Sequence, residues 1–172
     1  MNNMLTINLN ELSDIYTVRK LDLNDAEMLY DFCRKNPQYY EYCGLEDSLE
    51  DIRRDLQICP SNTAKEQKYY IGFFEGDTLM AVMDLIAGYP NEKTAFIGFF
   101  MMNGDFQGLG LGSKIILKVL NALKNQGFAR CRLAIDSGNP QAKHFWLKNG
   151  FCIVQEVRQE SGRELLVAEK EL

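Results

Sequence analysis

The chain has 172 residues, 46% apolar, 11% aromatic and 25% charged, enough hydrophobic side chain to build a packed core and too much to remain disordered. Lys and Arg number 19 against 24 Asp and Glu, a net charge of −5, which argues against a protein that neutralises nucleic-acid phosphates and suits a cationic small partner. The N-terminus (MNNMLTINLNELSD) has no basic leader and no run reaches the roughly 18 apolar residues of a membrane span, so the expectation is a cytoplasmic protein without a membrane partner. Five cysteines without CxxC spacing and a single histidine, His144, predict neither a disulfide framework nor a metal site.

Residues 15–21 (IYTVRKL) alternate and predict a first strand. A helix follows, with Asn24 at its N-cap, Glu27 completing a capping box, and Met28, Leu29, Phe32 and Cys33 at helical spacing until Asn36-Pro37. QYYEYCGLED reads as a tyrosine-rich loop, and a second helix is expected over 45–57, with Leu49, Ile52 and Leu56 on one face and acidic residues in its first turn. From Lys68 the chain becomes dense in Tyr, Phe, Ile and Val. Runs 68–75 and 78–89, joined at Gly76-Asp77, and 93–102, after Pro90-Asn91-Glu92, predict three consecutive antiparallel strands. A helix over 113–126 buries Ile115, Ile116, Val119, Leu120 and Leu123. A strand over 129–136, a helix opened by Asn139-Pro140 and closed by Gly150, and strands over 151–159 and 163–171 complete the chain. No linker or repeat divides it. The expectation is one α/β domain over residues 1–172, a mixed, mostly antiparallel sheet of about seven strands with about four helices on both faces.

Gly108, Gly110 and Gly112 fall within GDFQGLGLGSK (104–114), between a buried strand and an amphipathic helix, where a glycine-rich turn and a helix N-terminus can hold an anion. A P-loop is excluded because Lys114 follows Ser113. The dinucleotide fingerprint would start at Gly108 and meets Ser113 at its last glycine, after a strand expected in an antiparallel meander; nucleotide-dependent oxidoreduction is therefore a runner-up. Read from Gln107 the pattern is Q-x-x-G-x-G, and a second block reads Asn139-Pro140-x-Ala142-x-x-Phe145-Trp146-x-x-x-Gly150-Phe151. With these two blocks, roughly residues 68–158 resemble the GNAT superfamily of acyl-coenzyme A-dependent N-acetyltransferases. The resemblance implies a sheet splayed between its fourth and fifth strands, with the pantetheine arm of acetyl-CoA in the opening. It also implies a pyrophosphate held by the main chain of Gln107, Gly108, Leu109, Gly110, Leu111, Gly112 and Ser113. The main chain of Phe100, Met101 and Met102 would meet the pantetheine amides and the thioester carbonyl, with Asn139 and Phe145 beside the cofactor arm.

Transfer to an amine needs a neutral nucleophile, so an ammonium of pKa about 10 must lose a proton. Relatives in this superfamily place a tyrosine seven residues beyond the motif asparagine and, in some, a glutamate five residues before it; here those positions hold Trp146 and Ala134. Two carboxylates can substitute. Asp136 shares a strand face with Ala134, and Asp84 is a charge within the apolar run MAVMDLIAGY, costly unless paired or used. In the loop between the first two helices, Tyr39, Tyr40, Glu41 and Tyr42 form an aromatic and acidic rim able to attract a cationic amine. The expected activity is direct transfer of the acetyl group of acetyl-CoA to a primary amine of a small molecule or peptide. Trp146 and Ala134 leave open a non-catalytic acyl-CoA sensor. The C-terminal RELLVAEKEL is the candidate surface for a homodimer.

Overall fold

A computed structural model describes residues 4–36 and 48–172. Tyr39, Tyr40, Glu41 and Tyr42, and the start of the expected second helix, lie outside the described residues. Strands β1 (Thr17–Lys20), β2 (Lys68–Glu75), β3 (Thr78–Ala87), β4 (Thr94–Met102), β5 (Arg130–Asp136), β6 (Cys152–Arg158) and β7 (Glu164–Glu171) form one sheet in the order β1-β2-β3-β4-β5-β7-β6. The helices among the described residues are α1 (Ala26–Arg34), α2 (Leu49–Asp55), α3 (Leu111–Asn125) and α4 (Pro140–Lys148).

Strands β2 and β3 read as unbroken apolar runs because helices cover both of their faces. On one face α3 packs Ile115, Ile116, Val119, Leu120 and Leu123 against Met83, Leu85, Ile97 and Leu133. On the other, Leu29 and Phe32 of α1 and Ile52 and Leu56 at α2 meet Tyr70, Phe74, Val82 and Met101. Each fully buried leucine or isoleucine in these layers stabilises by about 2 kcal/mol. Alternation along each strand therefore assigns its side chains to an α3–α4 face or an α1–α2 face.

Two helix starts differ from the sequence expectation. Asp22, not Asn24, caps the first helix: its carboxylate accepts from Asn24 N at 2.8 Å, and Asp25 reciprocates on Asp22 N at 2.9 Å. A 3₁₀ turn over Leu23–Asp25 moves the cap outward, and Arg19 draws Asp25 into the same cluster at 2.9 Å. Helix α3 begins at Leu111, ahead of the expected Ser113, because Gly110 supplies the left-handed N-cap (φ +76°).

The decisive irregularity is in β4. Asp84 pairs with Phe99 and Leu85 with Ile97, so Gly98 is an extra residue bulged out of the β3–β4 ladder. The parallel ladder to β5 runs from Thr94↔Arg130 to Ile97↔Leu133 and stops at that bulge. Beyond it, β4 continues on β3, β5 continues on β7 through Ala134, Ile135 and Asp136, and the sheet opens between them. The strand before the glycine turn thus closes the antiparallel meander and also opens a β-α-β unit, a double role that the sequence reading divided. Both edges of β7 are hydrogen-bonded, to β5 and to β6, so RELLVAEKEL offers a second copy a face and not a sheet edge; among the described residues the outer strands are β1 and β6.

Candidate active site

The turn between β4 and α3 presents bare main chain. Among the described residues, no acceptor meets the backbone N–H groups from Gln107 through Ser113. The last of these are the orphan donors that every helix start exposes, here at the head of a 15-residue helix whose dipole adds partial positive charge. Gly108 and Gly110 hold positive φ, +78° and +76°, and a Cβ at either would meet nothing within 4 Å, so the surface over the turn is open. Leu109, at the apex, turns its side chain to solvent and can contribute only its N–H. Gly112 is closely packed instead, its missing Cβ facing Met102 at 3.3 Å and Phe145 at 3.4 Å. Gln107 adds a side-chain role: its amide nitrogen donates to Asn36 Oδ1, and Asn36 donates in turn to Met102 O at 3.0 Å.

This turn opens into a cleft of about 560 Å³ that runs down the split between β4 and β5. Phe100, Met101, Met102, Gln107, Gly108, Gly110, Leu111, Gly112, Ser113, Asp136, Asn139 and Phe145 all line it. Asn103 N donates to Met80 O, so alternate residues of β4 bond to β3 and the main chain of Phe100 and Met102 points the other way, into the split. Met102 O is occupied by Asn36, which leaves the Phe100 N–H and C=O and the Met102 N–H as the donors and acceptor facing the opening. The wall is aromatic. Phe100 stacks on Phe145 (centroids 6.0 Å), Trp146 meets Phe145 edge-on at 5.0 Å, and Phe151 backs Trp146 at 5.2 Å. Asn139 accepts from Ala142 N at 3.0 Å as the N-cap of α4, leaving its Nδ2 without a hydrogen bond among the described residues.

The two carboxylates part company. Asp136 lines the cleft, but both its oxygens are engaged: Oδ2 with Arg163 Nε at 2.7 Å, and Oδ1 accepting from Gly138 N at 2.9 Å. Asp84 is not among the cleft-lining residues. It lies one strand over, on the α1–α2 face, with Oδ2 2.8 Å from Lys68 Nζ and a buried Oδ1 that accepts no hydrogen bond among the described residues. Burial raises its carboxyl above the ordinary range, and the Lys68 cation limits that rise.

The model of the acetyltransferase (GNAT) family matches residues 21–151, a stretch that holds the split, the glycine turn and the helix head. The protein belongs to the GNAT acetyltransferases. No curated protein matches the sequence. Among solved structures, an acetyltransferase from Thermus thermophilus is similar at 25% identity and a TM-score of 0.75, over 91% of this chain and 97% of that one. The PaiA N-acetyltransferase of Thermoplasma acidophilum, in complex with coenzyme A, is similar at 20% identity and a TM-score of 0.64, over 91% and 99%. The ribosomal-protein-S18-alanine N-acetyltransferase of Escherichia coli is similar at 15% identity and a TM-score of 0.65, over 91% and 93%. At those lower identities the last two establish a common GNAT fold.

Several residues of this GNAT cleft went unread in the sequence. Asn36 had served only as a helix stop, yet it lines the cleft and ties the end of α1 to β4. Arg163, from the turn between β6 and β7, reaches the cleft through Asp136; nothing in the spacing of that hairpin announces it. His144, considered in the sequence only as a metal ligand, is exposed on α4 and borders the opening. Lys68 carried a usable signal. Pairing Tyr70 with Asp84 places Lys68 two residues along β2 on the same face, within diagonal reach of the carboxylate.

Proposed function

We propose that the protein transfers the acetyl group of acetyl-CoA to a primary amine of a small molecule or peptide, the amine attacking the thioester directly. The observation that carries this reading is the row of unbonded N–H groups at Gln107–Ser113 opening onto a split in the sheet. These donors suit a pyrophosphate: they are many, convergent on a helix head, and uncrowded by side chains. The Phe100 N–H and C=O and the Met102 N–H suit the amides of a pantetheine arm, with Phe145 beside its apolar stretch and Asn139 Nδ2 free to donate. Acetyl-CoA would bring the activated acyl group; the chain supplies donors that orient it and an aromatic wall that keeps water from the thioester. Asp136, expected from sequence as a candidate base, is assigned here to ordering: held by Arg163 and Gly138 N, it shapes the turn that delivers Asn139 to the head of α4.

Calorimetric titration with acetyl-CoA tests the binding half, with saturable one-site binding expected; no heat at millimolar cofactor would remove the proposal. A panel of primary amines, followed by release of free thiol, tests the catalytic half and names the acceptor class. A second reading, an acyl-CoA sensor without turnover, draws on one feature: Trp146, where many relatives carry a hydroxyl, is buried among Phe100, Phe145 and Phe151 and its indole is no acid. Tight binding with no thiol release on any amine would select it.

A further inference from the structure

Among the described residues the cleft offers the amine's proton no free carboxylate, because Ala134 and Trp146 carry no titratable group and Asp136 is engaged on both oxygens; His144 stands exposed at the rim. The Lys68–Asp84 pair, meanwhile, has no evident structural gain. It is the most enclosed of the described ion pairs, its side chains 6% and 15% exposed, and such pairs commonly cost more in desolvation than they return. A buried Oδ1 that finds no hydrogen-bond partner among the described residues adds to that cost. Its position is specific. Asp84 stands in register with Phe99 at the bulge, and a Cβ on Gly98 would lie 3.1 Å from Asp84 Oδ2. Gly98 itself lines the cleft, at the point where β4 leaves β5. Across the split on this same α1–α2 face is Ala134, since its neighbours Leu133 and Ile135 pack into the α3–α4 layer. Two small exposed residues thus leave a window through the sheet, and a carboxylate sits against one side of it.

Resting on the acetyltransferase reading, we propose that Asp84 is the proton acceptor of the reaction, reached through a water seated over Gly98 against Oδ2, with Lys68 as the positioning residue that holds the carboxylate in place from β2. An ammonium entering from the α1–α2 face gives one proton to the Asp84 carboxylate through that water. The nitrogen lone pair forms the N–C bond at the thioester carbonyl. The C–S bond then breaks with its electron pair on sulfur, one proton of the attacking nitrogen passes to the thiolate, and Asp84 returns its own to solvent. Among the described residues, the charged or titratable groups facing Asp84 are Lys68 and Tyr70 from β2 and Asp55 from α2, while Gly98 and Phe99 of β4 bring none. Burial and the Asp55 charge make the carboxylate more basic, Lys68 makes it less so, and the net direction is upward, toward the basicity that proton abstraction near neutral pH rewards.

The test uses the full chain with saturating acetyl-CoA, and n-butylamine beside the best acceptor of the panel. Asp84→Asn alone strands a buried lysine, so the decisive variant is Lys68→Met with Asp84→Leu, which removes both charges at once and is expected to fold and melt like the parent. It should bind acetyl-CoA with unchanged affinity and release thiol about a hundredfold or more slowly. Lys68→Met alone should keep turnover at high pH, with the acid limb of its kcat profile moved upward in pH, because the cation that restrained Asp84 is gone. A double variant with parental kcat, or a limb that stays in place in Lys68→Met, overturns the proposal. A parent protein that binds acetyl-CoA yet acetylates no amine overturns it together with the catalytic half of the function and leaves the binding half standing; no binding at all overturns both.

Discussion

On the α3–α4 face of the split, the site consists of main chain and rings: unbonded N–H groups from Gln107 to Ser113, the free backbone of Phe100 and Met102, and the Phe100–Phe145–Trp146–Phe151 stack. On the α1–α2 face it is bordered by polar side chains, Asn36 on Met102 O and Asp136 on Arg163, with Asp84 on Lys68 behind the bulge. The difference teaches where each face is vulnerable. A main-chain cradle is indifferent to most substitutions and fails where φ or packing is special. A side-chain cradle fails at single atoms and responds to pH.

The largest effect should fall on the aromatic wall. Trp146→Ala removes a nearly buried indole and is expected to cost about 3–5 kcal/mol in urea unfolding, with cofactor affinity lost alongside; a stable variant with normal affinity would show that the rings are not the wall of the cofactor channel. Gly110→Val comes next. Its φ of +76° strains a β-branched residue by about 1–3 kcal/mol, and the side chain would project over the turn, so calorimetry should show acetyl-CoA affinity lowered about tenfold or more in a folded variant. Normal affinity would take the anion away from this turn. On the opposite face, Asn36→Ala deletes one amide that bridges Gln107 and Met102 O, an expected loss of about 1 kcal/mol in denaturant melts. The smallest effect is at Asp25, whose carboxyl the Arg19 hydrogen bond holds below the usual range. A lowered folded-state pKa stabilises above the ordinary carboxylate pKa and is lost as pH falls through the folded value. Arg19→Ala should therefore cost under about 1 kcal/mol near neutral pH, since Arg19 is half exposed, and less in strong acid, where its contact with the Phe74 ring outlasts the ion pair. Equal melting differences at both pH extremes would contradict that.

The two faces also differ in how legible they were. The cradle was readable because its requirements are local: a turn with two left-handed positions needs glycines at fixed spacing, and Gly108 and Gly110 stand there beside the Q-x-x-G-x-G of a known superfamily. Asn139 was likewise readable as an N-cap, since capping is decided within four residues. The first helix shows the limit of local rules. Asn24 and Glu27 satisfy a capping pattern, but Asp22 and Asp25 satisfy one as well, and Arg19 from β1 favours the latter. Asp84 could be singled out as a charge in apolar surroundings, yet its partner, its free oxygen and its distance from the cleft depend on strand register and on the bulge at Gly98.

What the amino-acid order determined by itself is whatever near neighbours dictate: the strands and helices, in their order, and the anion-ready turn, because hydrophobic period, caps and φ > 0 act over a few residues. Only the tertiary structure decided which residues share the cleft. Asn36, Ala134 and Arg163 come from separate stretches of chain, and their meeting depends on one extra residue in β4 that parts the sheet and on pairings made across it. Such pairings are set by the packing of whole layers, which no short window of sequence contains.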